Sequence, residues 1–275
     1  MPLREAATIV TGSGGTGCGR AIALRFAAEG AGVVVSDINV EGGRETARLI
    51  QASGGRADFF PADVRNEDQV RELVTFAVNR FGPLAVLVNN ASAPFSHGYD
   101  MDTWMITAQT EFIGPLLTTR YAIDAMRLRG EGGAIVNVSS ISALWHGRRA
   151  SDGAPVYDAA KAGLLRLTTG LAEMAAMYKI RVNCLAPGWI ATDGPRQYWE
   201  SLTTEQRAER GVPNRLLTTD EIAEAVLRLA TDDALAGRVV LWWSDDEPKL
   251  IDRGDPGYRH ASLFEFTRSV FPHGD

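Results

Sequence analysis

Seven short apolar runs are spaced along the chain, and segments with helical periodicity separate them: Ala7–Val10, Gly32–Ser36, Ala57–Phe60, Ala85–Asn89, Ala134–Ser139, Arg181–Leu185 and Arg238–Trp242. Continuous apolar runs, unlike alternating ones, suit strands covered on both faces. Strand and helix in alternation are the pattern of a parallel sheet wrapped by helices. Between two of the runs, Val70, Leu73, Val74, Ala77, Val78 and Phe81 share one helical face, with Asn66 and Gln69 as a start signal. Thr218 and Glu221 have capping-box spacing ahead of Ile222, Ala225, Val226 and Leu229, which marks another helix. No Pro/Ser/Gly-rich linker or repeat divides the chain. The expectation is therefore a single α/β domain with a doubly wound parallel sheet of about seven strands over residues 1–254, followed by a tail at 255–275.

Composition narrows the function classes. The 275 residues carry a formal net charge of -6, and nucleic-acid binders normally show a basic stripe instead. No apolar run approaches the ~20 residues that span a bilayer, and the opening MPLREAATIV reads as a cytoplasmic start. Cys18 and Cys184 stand far apart in no redox or metal spacing. His97, His146, His260 and His273 form no ligand pattern, so no metal is expected. Small molecules are the expected partners.

The first strand runs into Thr11-Gly12-Ser13-Gly14-Gly15-Thr16-Gly17-Cys18-Gly19-Arg20 and then a helix. Glycines at such a turn let the backbone approach a pyrophosphate and aim helix N-terminal amides at it; the plain alternative is a merely tight strand–helix turn. Asp37 ends the second strand, where a carboxylate accepts both ribose hydroxyls of NAD and repels the 2′-phosphate of NADP; its plain alternative is an exposed turn aspartate. Tyr157 and Lys161 are one helical turn apart, on one face, and form a usable acid/base pair. A nearby ammonium favours the phenolate. Taken alone, the same spacing also fits packing beside a snorkelling lysine.

The ordered set of glycine-rich turn, Asp37, Asp63-Val64, Asn89-Asn90-Ala91, Ser139-Ser140, Tyr157-x-x-x-Lys161 and Pro187-Gly188 resembles the short-chain dehydrogenase/reductase family over about residues 7–240. The resemblance implies a Rossmann-type sheet, a nicotinamide cofactor and a homo-oligomer, tetramer or dimer. It implies that an alcohol and a ketone are interconverted by hydride transfer. Ser140 would hold the substrate oxygen, with Ser139 and Ser142 as rivals; Tyr157 would be the proton donor or acceptor, and Lys161 a ligand of the nicotinamide ribose. For the cofactor, NAD, it implies Gly12, Gly14, Thr16, Gly17 and Cys18 around the pyrophosphate and Asp37 at the ribose. Asp63 and Val64 would lie at the adenine, Asn89 and Ala91 on the adenosine side, and Ile190 and Thr192 at the carboxamide.

Four departures from the family pattern stand out. The glycine turn is one residue longer. Glu111, in Glu111-Phe-Ile-Gly114, stands where an asparagine joins the proton relay; the carboxylate would pair with Lys161 or a water, unless the helix is shifted and Glu111 exposed. The stretch between Ser140 and Tyr157 is about four residues longer and contains Trp145-His146-Gly147-Arg148-Arg149, expected to border the substrate pocket. The chain ends in Leu241–Pro248 and an apolar tail with Phe264, Phe266, Val270 and Phe271, expected to pack on the domain or a neighbouring subunit. Residues 191–217 are expected to be the substrate-loop region, in which Gly194–Leu217, with Tyr198 and Trp199, supplies a mobile helical lid. A non-redox enzyme, or a dinucleotide-binding protein with weakened turnover, stands as the alternative on the same scaffold.

Overall fold

The computed structural model describes residues 3–94, 98, 100–144, 154–252 and 254. Its strands are β1 (Ala7–Thr11), β2 (Gly32–Asp37), β3 (Arg56–Pro61), β4 (Leu84–Asn89), β5 (Gly133–Val138), β6 (Ile180–Pro187), β7 (Val239–Trp242) and β8 (Lys249–Leu250). They form one sheet in the order β3-β2-β1-β4-β5-β6-β7-β8. All pairings are parallel except the last, where Val240 faces Leu250 across an antiparallel pair. The seven expected runs are all strands. The eighth is an addition to the expected count: Lys249-Leu250 folds back after the turn that follows β7, and two residues carry no periodicity to read.

The helices are α1 (Cys18–Ala28), α2 (Val40–Ala52), α3 (Glu67–Phe81), α4 (Met101–Ala108), α5 (Gly114–Arg129), α6 (Pro155–Gly170), α7 (Met174–Tyr178), α8 (Asp193–Glu200), α9 (Thr204–Arg210) and α10 (Thr219–Thr231). A π-helical turn, Gln109–Ile113, joins α4 to α5, and a 3-10 turn, Ile141–Leu144, follows β5. The expected caps are in place. Asn66 accepts the Gln69 amide at 3.1 Å at the start of α3, and Thr218 and Glu221 bond reciprocally at the start of α10. On α3, Val70, Leu73, Val74, Ala77 and Phe81 are buried, while Val78 lies at the edge of that face.

Successive strand residues enter opposite layers, because side chains alternate across a sheet. Val10, Val33, Val35, Val86, Val88 and Val136 pack under α1, α2 and α10 with Ile22, Phe26, Ile50 and Val226. Ile9, Val34, Leu87 and Ile135 pack under α3 and α5 with Leu73, Ala77 and Met126. Each fully buried large side chain contributes about 1.5–3 kcal/mol of transfer free energy. Both faces of the central strands are therefore buried, which explains why those strand sequences are mostly apolar. β1 is flanked by β2 on one side and β4 on the other, so the chain winds away from it in both directions. A crevice opens at such a switch point, outside the carboxyl ends of the strands.

The region 191–217 contains α8 and α9. The segments 145–149 and 255–275, for which contacts were expected, lie outside the described residues. Among the described residues no helix is long and apolar enough to cross a membrane, and no cluster of three His, Cys, Asp or Glu side chains could hold a metal.

Candidate active site

β1 delivers Thr11 to the switch point, and the glycine turn folds over its end. Gly12 has φ +66°, and a Cβ there would lie 2.5 Å from the Ala91 Cα. Gly19 packs directly on the Gly12 carbonyl, leaving no room for a side chain. Gly17 caps α1 without a side-chain hydrogen bond, so the first amides of α1 have no side-chain partner at the cap. A concave backbone, held close by glycines and ending in a helix N-terminus, fits a dinucleotide pyrophosphate. Thr16 is exposed on the loop. The Cys18 thiol turns toward the core, and burial pushes it up to about 11, so only the Cys18 backbone is left for an anion.

Asn90 fastens this loop to β4: its Nδ2 donates to the Thr11 and Gly12 carbonyls, both at 3.0 Å. The amides of Asn90 and Ala91 donate to Thr11 Oγ1. Asp37 accepts the Gly14 amide at 2.7 Å and the Asn39 amide at 2.8 Å. A carboxylate has about four acceptor positions, so two hydroxyls can still be received there. Opposite the turn, the Thr192 methyl faces Gly17, at 3.3 Å from the position a Cβ would take. Ile190 is held by a parallel bridge to Leu217.

Asp63 and Val64, expected at the adenine, follow β3. Arg65 grips the Asp63 carboxylate at 2.6 Å, and that bond holds Asp63 below the usual carboxylate range. Val64 is buried beside Gly114. Asn89 corrects the expectation for its side chain. Its Nδ2 donates to Asn137 at 2.9 Å and Thr119 at 3.1 Å, and its Oδ1 accepts from Thr118 at 2.6 Å. It is buried inside the sheet, where its amide ties β4 to β5 and α5 in place of lining a ligand.

The third side of the crevice comes from the end of β5 and from α6. The Ser140 hydroxyl lies near enough to the Tyr157 phenol to pull its titration down, and it also accepts the Ser142 amide at 3.2 Å. Of the two rivals, Ser139 donates to the Lys161 carbonyl at 2.8 Å, and Ser142 is buried. Lys161 is 4% exposed; its Nζ donates to the Val138 carbonyl at 2.9 Å and lies 5.4 Å from the Tyr157 ring centroid. Glu111 Oε2 is 2.9 Å from the same Nζ. Glu111 is fully buried, so the exposed alternative is excluded: the π turn carries the side chain inward instead of leaving it on an outer face. Its Oε1 accepts from Ser92 Oγ at 2.6 Å and the Ala93 amide at 2.8 Å.

Burial pushes the Tyr157 phenol up; Lys161 and the Ser140 hydroxyl pull it down, and Glu111 pushes it up again, leaving it raised. For Lys161, burial works against the charged form, but Glu111 prevails and the ammonium is held above its ordinary range. Sequence reading missed Ser92, Ala93 and Asn137. Ser92 directly follows Asn89-Asn90-Ala91, so proximity to that run was its available signal.

The family model described as Enoyl-(Acyl carrier protein) reductase matches residues 14–238. The chain belongs to the short-chain dehydrogenase/reductase family. It is 38% identical to an L-rhamnose 1-dehydrogenase (NAD(P)(+)) of Azotobacter vinelandii, over 85% of this chain and 93% of that protein. It is 34% identical to a probable galactose dehydrogenase of Rhizobium meliloti, over 85% of this chain and 91% of that one. The crystal structure of a hydroxysteroid dehydrogenase from Escherichia coli matches with a TM-score of 0.73 at 28% identity, covering 88% of this chain and 96% of that chain. The expected fold and family therefore hold: this is an oxidoreductase of that family on a Rossmann-like sheet.

Proposed function

We propose that this enzyme uses NAD to interconvert a secondary alcohol and a ketone, with Tyr157 as the acid/base, Ser140 on the substrate oxygen and Lys161 as the activating cation. The observation that carries this reading is Tyr157 one helical turn from a buried Lys161, whose Nζ lies 5.4 Å from the Tyr157 ring centroid, beside Ser140 at the carboxyl end of β5. When bound, the nicotinamide dinucleotide supplies the acceptor or donor of the hydride. The glycine turn and the α1 N-terminus hold its pyrophosphate, Asp37 its ribose, and Ile190 and Thr192 its carboxamide end. For oxidation, Tyr157 as phenolate takes the alcohol proton while Ser140 fixes the oxygen; for reduction, Tyr157 returns that proton. Orientation of both reactants in one crevice adds a further part of the rate.

Asp37 favours NAD over NADP, because its carboxylate repels a 2′-phosphate. In this reading residues 1–254 are the catalytic domain, 191–217 border the substrate, and the enzyme works as a homo-oligomer in the cytoplasm. Two cysteines without a disulfide agree with a reducing compartment. The test is a screen of NAD and NADP against sugars, steroids, acyclic alcohols and hydroxy acids, followed by nicotinamide absorbance. The sugar dehydrogenases among the relatives put aldoses first. NAD-linked turnover that disappears in Tyr157→Phe is expected. Wild-type turnover in that variant would remove Tyr157 from the chemistry, and an NADP preference would overturn the reading of Asp37.

A further inference from the structure

We infer that Glu111 is a positioning residue: as the buried counter-ion of Lys161 it sets the pH at which Tyr157 opens as a base, so that alcohol oxidation starts at higher pH than an unpaired Lys161 would permit. The inference rests on the reading of Tyr157 as the acid/base.

The geometry gives Glu111 two separate attachments. Oε2 lies 2.9 Å from Lys161 Nζ, while Oε1 receives the Ser92 hydroxyl at 2.6 Å and the Ala93 amide at 2.8 Å. Two donors thus engage one oxygen of the buried carboxylate, and an ammonium lies beside the other. Lys161 Nζ also donates to the Val138 carbonyl at 2.9 Å. A buried ammonium alone would act strongly on the neighbouring phenol; an ammonium paired with a carboxylate acts as a dipole, and its pull is weaker. The directions of both shifts agree: Glu111 raises Lys161, and it raises Tyr157 against the pull of that same lysine.

Among the described residues, Glu111 is the carboxylate paired with Lys161. From α6 itself, Tyr157 also feels Asp158, and from β6 Lys161 feels Cys184. Arg181, also on β6, is turned to the carbonyls that end α10. The titratable residue of α4, Asp102, is exposed, and β7 and the 3-10 turn after β5 contain none. Cys184 is pushed up to about 12 by burial and stays neutral through the working range.

The deciding variant is Glu111→Gln, which keeps an acceptor for Ser92 and Ala93 but removes the charge. In the protein without cofactor or substrate, the tyrosinate absorbance of each form is titrated against its Tyr157→Phe counterpart, which cancels the other five of the six tyrosines. The Tyr157 midpoint is expected to fall by about one pH unit or more, a tenfold gain in phenolate at a given pH. The acid limb of kcat/KM for alcohol oxidation should move in the same direction. Glu111→Asp, which retains the charge, should return the midpoint toward the parent. Should Glu111→Gln not fold, Glu111→Asn takes its place in the titration. An unchanged or raised midpoint in the neutral variant overturns the inference, even if Tyr157→Phe is inactive and the acid/base reading stands. Turnover retained by Tyr157→Phe would instead overturn that reading and leave the phenol titration meaningful by itself.

Discussion

Asp37 accepts hydrogen bonds from Gly14 and Asn39 and thereby pins the glycine turn to the end of β2. Its carboxylate thus serves the fold, and the ribose role proposed for it separates from that task by substitution. Asp37→Asn keeps an acceptor for one amide but removes the negative charge that opposes a 2′-phosphate. A charge-assisted hydrogen bond is worth about 1.5–3 kcal/mol, so the NAD-to-NADP ratio of kcat/KM should fall by roughly ten- to a hundredfold. An unchanged ratio would assign Asp37 to the loop alone. Gly19 makes a sharper test of the cradle. Gly19→Ala drives a methyl into the Gly12 carbonyl and to 2.6 Å from Asn90 Nδ2, so α1 must withdraw from the turn. Such overpacking costs about 1–3 kcal/mol. The variant should melt earlier and bind NAD weakly by calorimetry, with the far-ultraviolet spectrum of the fold retained. Gly12, Asp37, Tyr157 and Lys161 were legible in the sequence because each makes its demand locally, through a turn, a strand end or a single helical spacing.

At the scale of elements, legibility followed periodicity. α3 and α10 declared themselves by apolar faces and caps, and the buried strands by continuous apolar runs. The π turn at Gln109–Ile113 did not, because one added residue per turn breaks the helical phase that would reveal it, and with it the inward direction of Glu111. The polar ladder inside the sheet was equally hidden. Asn89 and Asn137 are register partners on β4 and β5, and they meet only because those strands pair. Asn89 donates to Asn137, which donates to Thr168 of α6 at 3.0 Å, so the ladder carries the sheet's position to the helix that holds Tyr157 and Lys161. Asn137→Ala removes one of the two acceptors of the buried Asn89 amide and the donor to Thr168, at a cost of about 1–3 kcal/mol. For a chain of this size each kcal/mol is worth about 2–4 °C in Tm. The expected outcome is a fall in Tm together with a lower kcat, since α6 loses a fixed point. A fall in Tm with kcat intact would confine the ladder to stability.

For the whole molecule, the buried sheet that positions the site also makes folding sensitive to alkali. Cys184 lies in β6 with no exposed surface, and burial pushes its thiol up to about 12, whereas a free thiol titrates near 8.5. The sign follows from the bound protons. Between those two values the unfolded chain has released the thiol proton and the folded chain still holds it, so rising pH favours unfolding. The stability that the neutral thiol supplies is complete below about pH 8.5 and is lost toward 12, at about 1.4 kcal/mol per pH unit. Cys18, raised to about 11 by burial, adds to the same slope. Tyr157, raised chiefly by burial, begins its contribution at higher pH, as the unfolded phenol starts to ionise near 10. Tm should therefore be level from neutral pH to about 8.5 and then decline. Cys184→Ala, which removes the largest of the thiol shifts, should flatten that decline while leaving a small packing loss that is the same at every pH. Scanning calorimetry of both proteins in steps across the alkaline range separates the two effects: parallel curves would mean that Cys184 contributes packing alone, and converging curves that its retained proton links the core of the sheet to pH.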